Sequence, residues 1–314
     1  MAEAAPLYST PEAPVPAGAA AEWFAGAGRA RLRAALFAPT GPPRGSVVVS
    51  PGRTEPIEKY FEVVERLAGR GFWVLVHDWR GHGLSLRPAG DTRGHARGWR
   101  DFMADYAALL AAFEARLPKP WIALGHSMGG CLTLLALAQG EARFSAAILS
   151  APMLGLHTGA IPRPIARVMA AAMTALGKAA DLASREPPAP DSFQANILTH
   201  DPVRYQRNLA LVTAHPDLMV GPPTWGWLDF AFTAIAELER GAGAARIALP
   251  LTVATAGEER LVDNEGLARV TTRVPGAKFL TIPGAYHEIL QETDPIQDLF
   301  WAEFDALAAQ ADVR

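Results

Sequence analysis

One stretch constrains this chain more than any other: Leu124-Gly125-His126-Ser127-Met128-Gly129-Gly130. It follows the apolar run Trp121-Ile122-Ala123-Leu124 and precedes a long segment rich in alanine and leucine. Gly-x-Ser-x-Gly between a strand and a helix is a nucleophile elbow. Such a corner pushes its serine out of the backbone in a strained conformation, and Gly125 and Gly129 let strand and helix pass closely. A serine hydroxyl is a poor nucleophile at neutral pH, so the elbow has meaning only if an acid and a base follow it in the right order.

The flanking segments predict what the elbow is embedded in. Residues 29–38 partly alternate and read as an edge or near-edge strand closed by Gly41-Pro42-Pro43. Val47-Val48-Val49-Ser50 is a short buried strand, and a helix over about 57–69 carries Ile57, Tyr60, Phe61, Val64 and Leu67 on one stripe. A strand at 72–76, a helix at 101–116, the elbow strand 121–125 with its helix 128–139, and a strand at 146–150 follow. Strands that are apolar on both faces and separated by single helices mean a mostly parallel sheet covered on both sides. From about Pro152 to Trp225 no segment reads as a buried strand. Helical pieces near 164–179 and 203–213, interrupted by Pro187-Pro188-Ala189-Pro190 and closed by Gly221-Pro222-Pro223, predict an inserted helical cap. The sheet rhythm then returns with a helix at 226–240, a strand from Pro250 to Thr255, a helix near 264–273, a strand at 277–282 and a last helix near 295–309.

Composition narrows the function classes. With 29 basic and 32 acidic residues among 314, the formal net charge is -3, and no basic block suggests a nucleic-acid surface. The single cysteine, Cys131, rules out an intramolecular disulfide and a thiolate zinc cluster, and reads as a small apolar helix residue. No run of 18 apolar residues predicts a membrane span. Residues 1–22 are rich in Ala and Pro without a basic start or compact apolar run, so they read as a loose tail and not a signal peptide.

The base candidate is His287, in the loop Pro283-Gly284-Ala285-Tyr286-His287-Glu288 after the last strand. A residue there reaches the C-terminal edge of the sheet, where the elbow opens. Glu288 reads as a capping or surface carboxylate. In the order serine, acid, histidine, the acid comes from Gly257-Glu258-Glu259-Arg260-Leu261-Val262-Asp263. Periodicity does not choose among its three carboxylates. Asp263 is placed to cap the helix from Asn264, so Glu259 is preferred, with Glu258 and Asp263 as fallbacks. The oxyanion needs two N–H donors: Met128, directly after the nucleophile, and Arg53, in the loop after the Val47–Val49 strand. The Arg53 side chain reads equally as a functional group or a surface charge. Asp78, Arg80, His82 and Gly83 read as a tight structural turn, and His126 points away from the serine by strand alternation. His95, His157, His200 and His215 show no metal-ligand spacing, and Gly81-His82-Gly83 lacks the third glycine of a dinucleotide loop.

Taken together, these motifs resemble the α/β-hydrolases of the monoacylglycerol lipase and lysophospholipase L2 group, which includes the serine aminopeptidase-like sequence family. The resemblance runs from about Trp23 to Leu307. It rests on Gly-His-Ser-Met-Gly-Gly at 125–130, His-Asp-Trp-Arg-Gly-His-Gly-Leu-Ser at 77–85, Gly94-His95 followed by Asp101 and Asp105, Glu-Glu-Arg-Leu-Val-Asp-Asn at 258–264, and Gly-Ala-Tyr-His-Glu at 284–288. The 258–264 motif is similar to the bacterial lysophospholipase L2 branch, where a glutamate stands just before the arginine, which supports Glu259. The resemblance implies an α/β-hydrolase fold: a mostly parallel eight-stranded sheet with helices on both faces and an inserted helical cap. The body would be 23–151 and 226–314, the cap 152–225 and the tail 1–22. It implies Ser127 as nucleophile, His287 as base and Arg53 and Met128 as oxyanion donors, with no metal or organic cofactor. One departure stands out: Pro51 occupies the place of the usual histidine before Gly52, and the hole is expected to survive because its donor is Arg53.

The implied activity is two-step hydrolysis of a carboxylic ester, with a lysophospholipid or monoacylglycerol as substrate. The cap residues Leu154, Leu156, Ile161, Ile165, Val168, Met169 and Met173 offer either an acyl slot or a surface docking cap to body. An amidase or aminopeptidase of the same fold is the alternative, and Asp181, Glu186, Asp191, Asp201 and Asp217 are carboxylates available to hold a substrate ammonium. A non-catalytic binding protein on this scaffold is a minor alternative, opposed by the intact serine, histidine and carboxylate loop. Arg163, Arg167, Lys178, Arg185, Arg204 and Arg207 are dispersed, so the head group is not legible. The expected setting is cytoplasmic, with transient membrane-surface contact through the cap, no nucleic-acid partner and no prediction of oligomeric state.

Overall fold

The computed structural model describes residues 3–87, 91–184 and 192–311. A nine-stranded sheet runs through it in the order β1-β2-β3-β5-β4-β6-β7-β8-β9. The strands are β1 Glu3–Ala4, β2 Ala20–Ala25, β3 Arg31–Phe37, β4 Gly45–Ser50, β5 Phe72–His77, β6 Trp121–His126, β7 Ala146–Ser150, β8 Leu251–Ala256 and β9 Lys278–Ile282. The pairs from β5 through β4, β6, β7 and β8 to β9 are parallel, while β1–β2, β2–β3 and β3–β5 are antiparallel. The expected count of eight strands is therefore corrected to nine in a mixed sheet.

The additional pairing lies in the segment expected to be a loose tail. β2 pairs with β3 along its whole length, from Ala20 opposite Leu36 to Ala25 opposite Arg31. Alanine and proline gave this segment no apolar period, yet Thr10 and Ala13 are buried. Tyr8 donates its N–H to Glu58, and Pro6 accepts from the buried Arg33 guanidinium. Tertiary contacts hold what local propensity does not.

Helices cover both faces. On one side lie α1 (Phe61–Gly69), preceded by a short 3₁₀ turn at Ile57–Tyr60, and α8 (Asp294–Ala311). On the other lie α2 (Trp99–Phe113), α3 (Ser127–Ala138), α6 (Trp225–Arg240) and α7 (Asn264–Thr271). α3 is buried on every side beyond Ser127, as an all-apolar helix must be. Between β7 and α6 the described residues form α4 (Arg163–Ala175) and α5 (Pro202–Ala214) without adding a strand to the sheet. Pro187-Pro188-Ala189-Pro190, together with Arg185, Glu186 and Asp191, falls outside the described residues.

The strand order places the site. After β5 the chain crosses to the other side of β4 to form β6, and such reversals leave a crevice at the C-terminal edge. Ser50 at the end of β4 is opposite Gly125 in β6, so the loop after β4 and the elbow after β6 emerge side by side.

Candidate active site

The elbow is strained in the required way. Ser127 has φ 49°, in the left-handed region that a residue with a Cβ seldom enters. A side chain on Gly129 would overlap the carbonyl oxygen of Ser50, and one on Gly125 would lie 2.7 Å from the Gly130 Cα. The helix can therefore begin at Ser127 only because both neighbours lack a Cβ. Met128, in the first turn of α3, has an N–H with no acceptor inside its own helix.

Three side chains separated in sequence meet here. His287 Nε2 is 2.9 Å from Ser127 Oγ, and His287 Nδ1 is 2.8 Å from Glu259 Oε2. The other oxygen of Glu259 accepts N–H bonds from Arg260 at 2.9 Å, Leu261 at 2.8 Å and Val262 at 3.3 Å, which fix the carboxylate. The acid and base loops are joined through their backbones, with Gly257 N–H on the Ile282 carbonyl and Glu258 N–H on that of Ala285, both at 2.9 Å. Glu258 points elsewhere, its carboxylate half exposed and 3.9 Å from His200. Asp263 caps α7, accepting from Glu265 N–H at 3.0 Å.

Electrostatics favour a proton on the imidazole between the two oxygens. Burial alone disfavours the charged ring, but the Glu259 carboxylate, aided by Glu288 and Glu55, outweighs it and holds the His287 pKa above its ordinary value. Burial likewise works against the Glu259 charge, yet the facing His287 and the loop N–H groups bring its pKa below the usual carboxylate range. A serine hydroxyl on an imidazole whose far nitrogen meets a fixed carboxylate can lose its proton as it attacks a carbonyl.

Several neighbours escaped sequence reasoning. Glu288 is buried, not a surface group, and shares Lys59 Nζ with Glu55 at 2.5 and 2.8 Å. Glu55 also accepts the Gly52 N–H at 2.6 Å and the Tyr60 hydroxyl at 2.5 Å, bracing the turn that contains Arg53. A Glu-Lys pair four residues apart reads as a solvated helix face; its burial comes from packing. His126, expected to point away, has its ring 5.0 Å from that of His287, with Nδ1 3.0 Å from the Ser150 carbonyl. Nor is the Arg53 side chain a surface charge: it lies over the Trp227 ring and donates to the Gly221 carbonyl. By contrast, Asp78 is structural, bonded to the Arg33 guanidinium at 2.7 Å and to the N–H groups of Ile57 and Leu84.

A cavity of about 670 Å³ opens on Ser127 and His287. Its apolar wall includes Leu156, Ile161, Met169, Leu198, Leu228 and Phe232. Of the other cap residues expected there, Leu154 is fully buried, Ile165 and Val168 are exposed, and Met173 is partly buried outside the lining. Asp181, Asp201 and Asp217 do not line it; Asp201 caps α5 and Asp217 accepts the Tyr8 hydroxyl at 2.6 Å. Among the described residues the carboxylates that do, Glu55 and Glu288, are both bonded to Lys59.

Known proteins share this architecture. The family model described as Serine aminopeptidase, S33 matches residues 41–294. Lysophospholipase L2 of Escherichia coli K12 is 35% identical over 268 residues, covering 81% of this chain and 77% of the relative. Monoacylglycerol lipase of Mycolicibacterium smegmatis is 29% identical over 290 residues, covering 86% and 91%. Among solved structures, a soluble variant of the Saccharomyces cerevisiae monoglyceride lipase bound to a substrate analog superposes with a TM-score of 0.71 at 17% identity, covering 93% of this chain and 96% of the other. A thermostable carboxyl esterase from Bacillus coagulans gives a TM-score of 0.74 at 18% identity, covering 95% and 100%.

Proposed function

The chain belongs to the serine aminopeptidase S33 family of α/β-hydrolases, in its lysophospholipase L2- and monoacylglycerol lipase-like group, and from that premise we propose how its serine-dependent hydrolysis of carboxylic esters proceeds. Ser127 Oγ attacks the ester carbonyl carbon while His287 Nε2 takes its proton. Glu259 keeps the Nδ1 proton in place and stabilises the imidazolium. The backbone N–H groups of Arg53 and Met128 receive the oxyanion. The tetrahedral intermediate collapses as His287 returns the proton to the departing alcohol. Water then gives up a proton to His287 and adds to the acyl carbon, and a second collapse releases the fatty acid and restores the Ser127 hydroxyl.

The substrate is a glycerolipid carrying one acyl chain, a lysophospholipid or a monoacylglycerol, with the chain between cap and elbow. The single observation that carries this is the apolar cavity of about 670 Å³ opening on Ser127 and His287. Residues 152–225 serve as the cap over a body made of 23–151 and 226–314. Among the described residues no helix is long and apolar enough to cross a membrane. α4 packs on α6 and buries only Ala170, leaving Ile165, Val168 and Leu176 at 53%, 66% and 72% exposure. That face supports transient contact with a lipid surface by an otherwise cytoplasmic protein.

A fitted slot discriminates by about 1–3 kcal/mol per methylene. On matched monomeric esters below micelle formation, kcat/KM should rise steadily from C4 to C8. A flat or falling series, together with efficient cleavage of aminoacyl anilides, would overturn the lipid reading in favour of an aminopeptidase.

A further inference from the structure

The cavity beside Ser127 contains a cation that, among the described residues, no carboxylate neutralises. Arg53 lines it, half-buried, with its guanidinium carbon 5.1 Å from the centre of the Trp227 ring. Nη2 donates to the Gly221 carbonyl, while Nε is buried without a hydrogen-bond partner. Among the described residues Arg53 has no carboxylate within salt-bridge distance, unlike the buried Arg33, which holds both Glu58 and Asp78. The nearby Glu55 and Glu288 are already committed to Lys59. The position is a prepared one. Gly94 packs against the guanidinium, and a Cβ there would come to 3.0 Å from Cζ and Nε. Trp227, Pro222 and Pro223, which surround it, line the same cavity. Without a counter-charge, burial brings the Arg53 pKa down to about 10, still high enough to leave it cationic at neutral pH.

We propose that the Arg53 guanidinium is a specificity determinant that binds the phosphate of a lysophospholipid head group and so favours phosphate-bearing glycerolipids over neutral ones. This rests on the ester-hydrolase reading above and deepens it. A planar guanidinium matches phosphate oxygens better than any other side chain, and a buried, unpaired donor gains most from an incoming anion. The connectivity of the substrate is compatible with this. In a 1-acyl lysophospholipid the three-carbon glycerol unit joins ester to phosphate, and Arg53 offers its main-chain N–H at one end and its guanidinium at the other.

The test is a pair of substrates that differ only in the phosphate: a short-chain 1-acylglycerol 3-phosphate and the 1-acylglycerol of equal chain length, both kept monomeric. The readout is the ratio of their kcat/KM values on a single enzyme preparation, which cancels any difference in active fraction. We expect Arg53→Gln to lower the phosphate-to-neutral ratio about tenfold or more, and Arg53→Lys to fall between the two. An unchanged ratio in Arg53→Gln, with both lipids still cleaved, would overturn the proposal and leave the lipid reading intact. Inhibition by inorganic phosphate that Arg53→Gln removes while the ratio stays constant would overturn the head-group assignment in favour of a free-anion site. Wild-type protein that cleaves p-nitrophenyl esters but neither lipid would overturn the lipid reading, and this proposal with it.

Discussion

His287 sits between two opposing influences, and the balance has a measurable sign. Burial pushes its imidazole toward neutrality, while the Glu259 carboxylate at 2.8 Å raises its pKa above the ordinary histidine value. The ring acts as a base only when neutral, so activity should increase as pH rises through that raised value. We predict an acidic limb of the kcat/KM profile above about 6.5. Glu259→Gln removes the largest influence that opposes burial, leaving only Glu288 and Glu55 against it, so the limb should move to lower pH while kcat falls by on the order of 10³–10⁴. Glu258→Gln and Asp263→Asn should do neither, because one carboxylate faces His200 and the other caps α7. The nucleophile is checked separately: a fluorophosphonate should modify Ser127, and Ser127→Ala should remove the adduct seen by mass mapping. An adduct on any other residue would refute the assignment.

Elements in this fold are held by a few contacts that cross long stretches of chain. The Arg33 side chain of β3 is fully buried and bonds Asp78 after β5, Glu58 before α1 and the Pro6 carbonyl. Arg33→Met would strand two buried carboxylates, and removing one partner of such a cluster costs roughly 3–5 kcal/mol. Denaturant unfolding should show that loss as a lower midpoint; a shift under about 1 kcal/mol would mean the carboxylates are relieved by water or protonation. On α4, Val168→Glu should lower hydrolysis of vesicle-embedded substrate relative to the same ester in monomeric form. An unchanged ratio would mean that α4 does not meet the lipid surface. Which elements were legible follows the same division. Periodic apolar runs such as Val47–Val49 and Phe72–Val76 declared themselves, because local pattern and burial agree. Ala20–Ala25 did not: its pairing with β3 is a tertiary event, and alanine carries little signal of its own.

Over the whole molecule, the parallel sheet is what brings Ser127, Glu259 and His287 together, since each stands in the loop after β6, β8 or β9 at one edge. Ser127 and His287 were visible as candidates because a strained corner and a loop after the last strand each leave a local trace. Glu259 was preferred over Glu258 and Asp263, but periodicity alone did not choose among them, because the choice depends on which carboxylate the backbone of the 256–263 loop aims at the ring. The buried Glu55–Lys59–Glu288 group had no trace and the Arg53 side chain read equally as functional or surface, for charge in a sequence says nothing of how far it lies from water. The order of these parts along the chain also gives the protein a timetable. A ribosome delivers the Ser127 elbow well before the imidazole of His287, since β7, α4, α5, α6, β8, α7 and β9 all lie between them. Until His287 arrives, the nascent chain therefore carries an ordinary alcohol in place of a nucleophile. It can begin to hydrolyse esters only when the loop after β9 has left the exit tunnel and brought His287 beside the elbow.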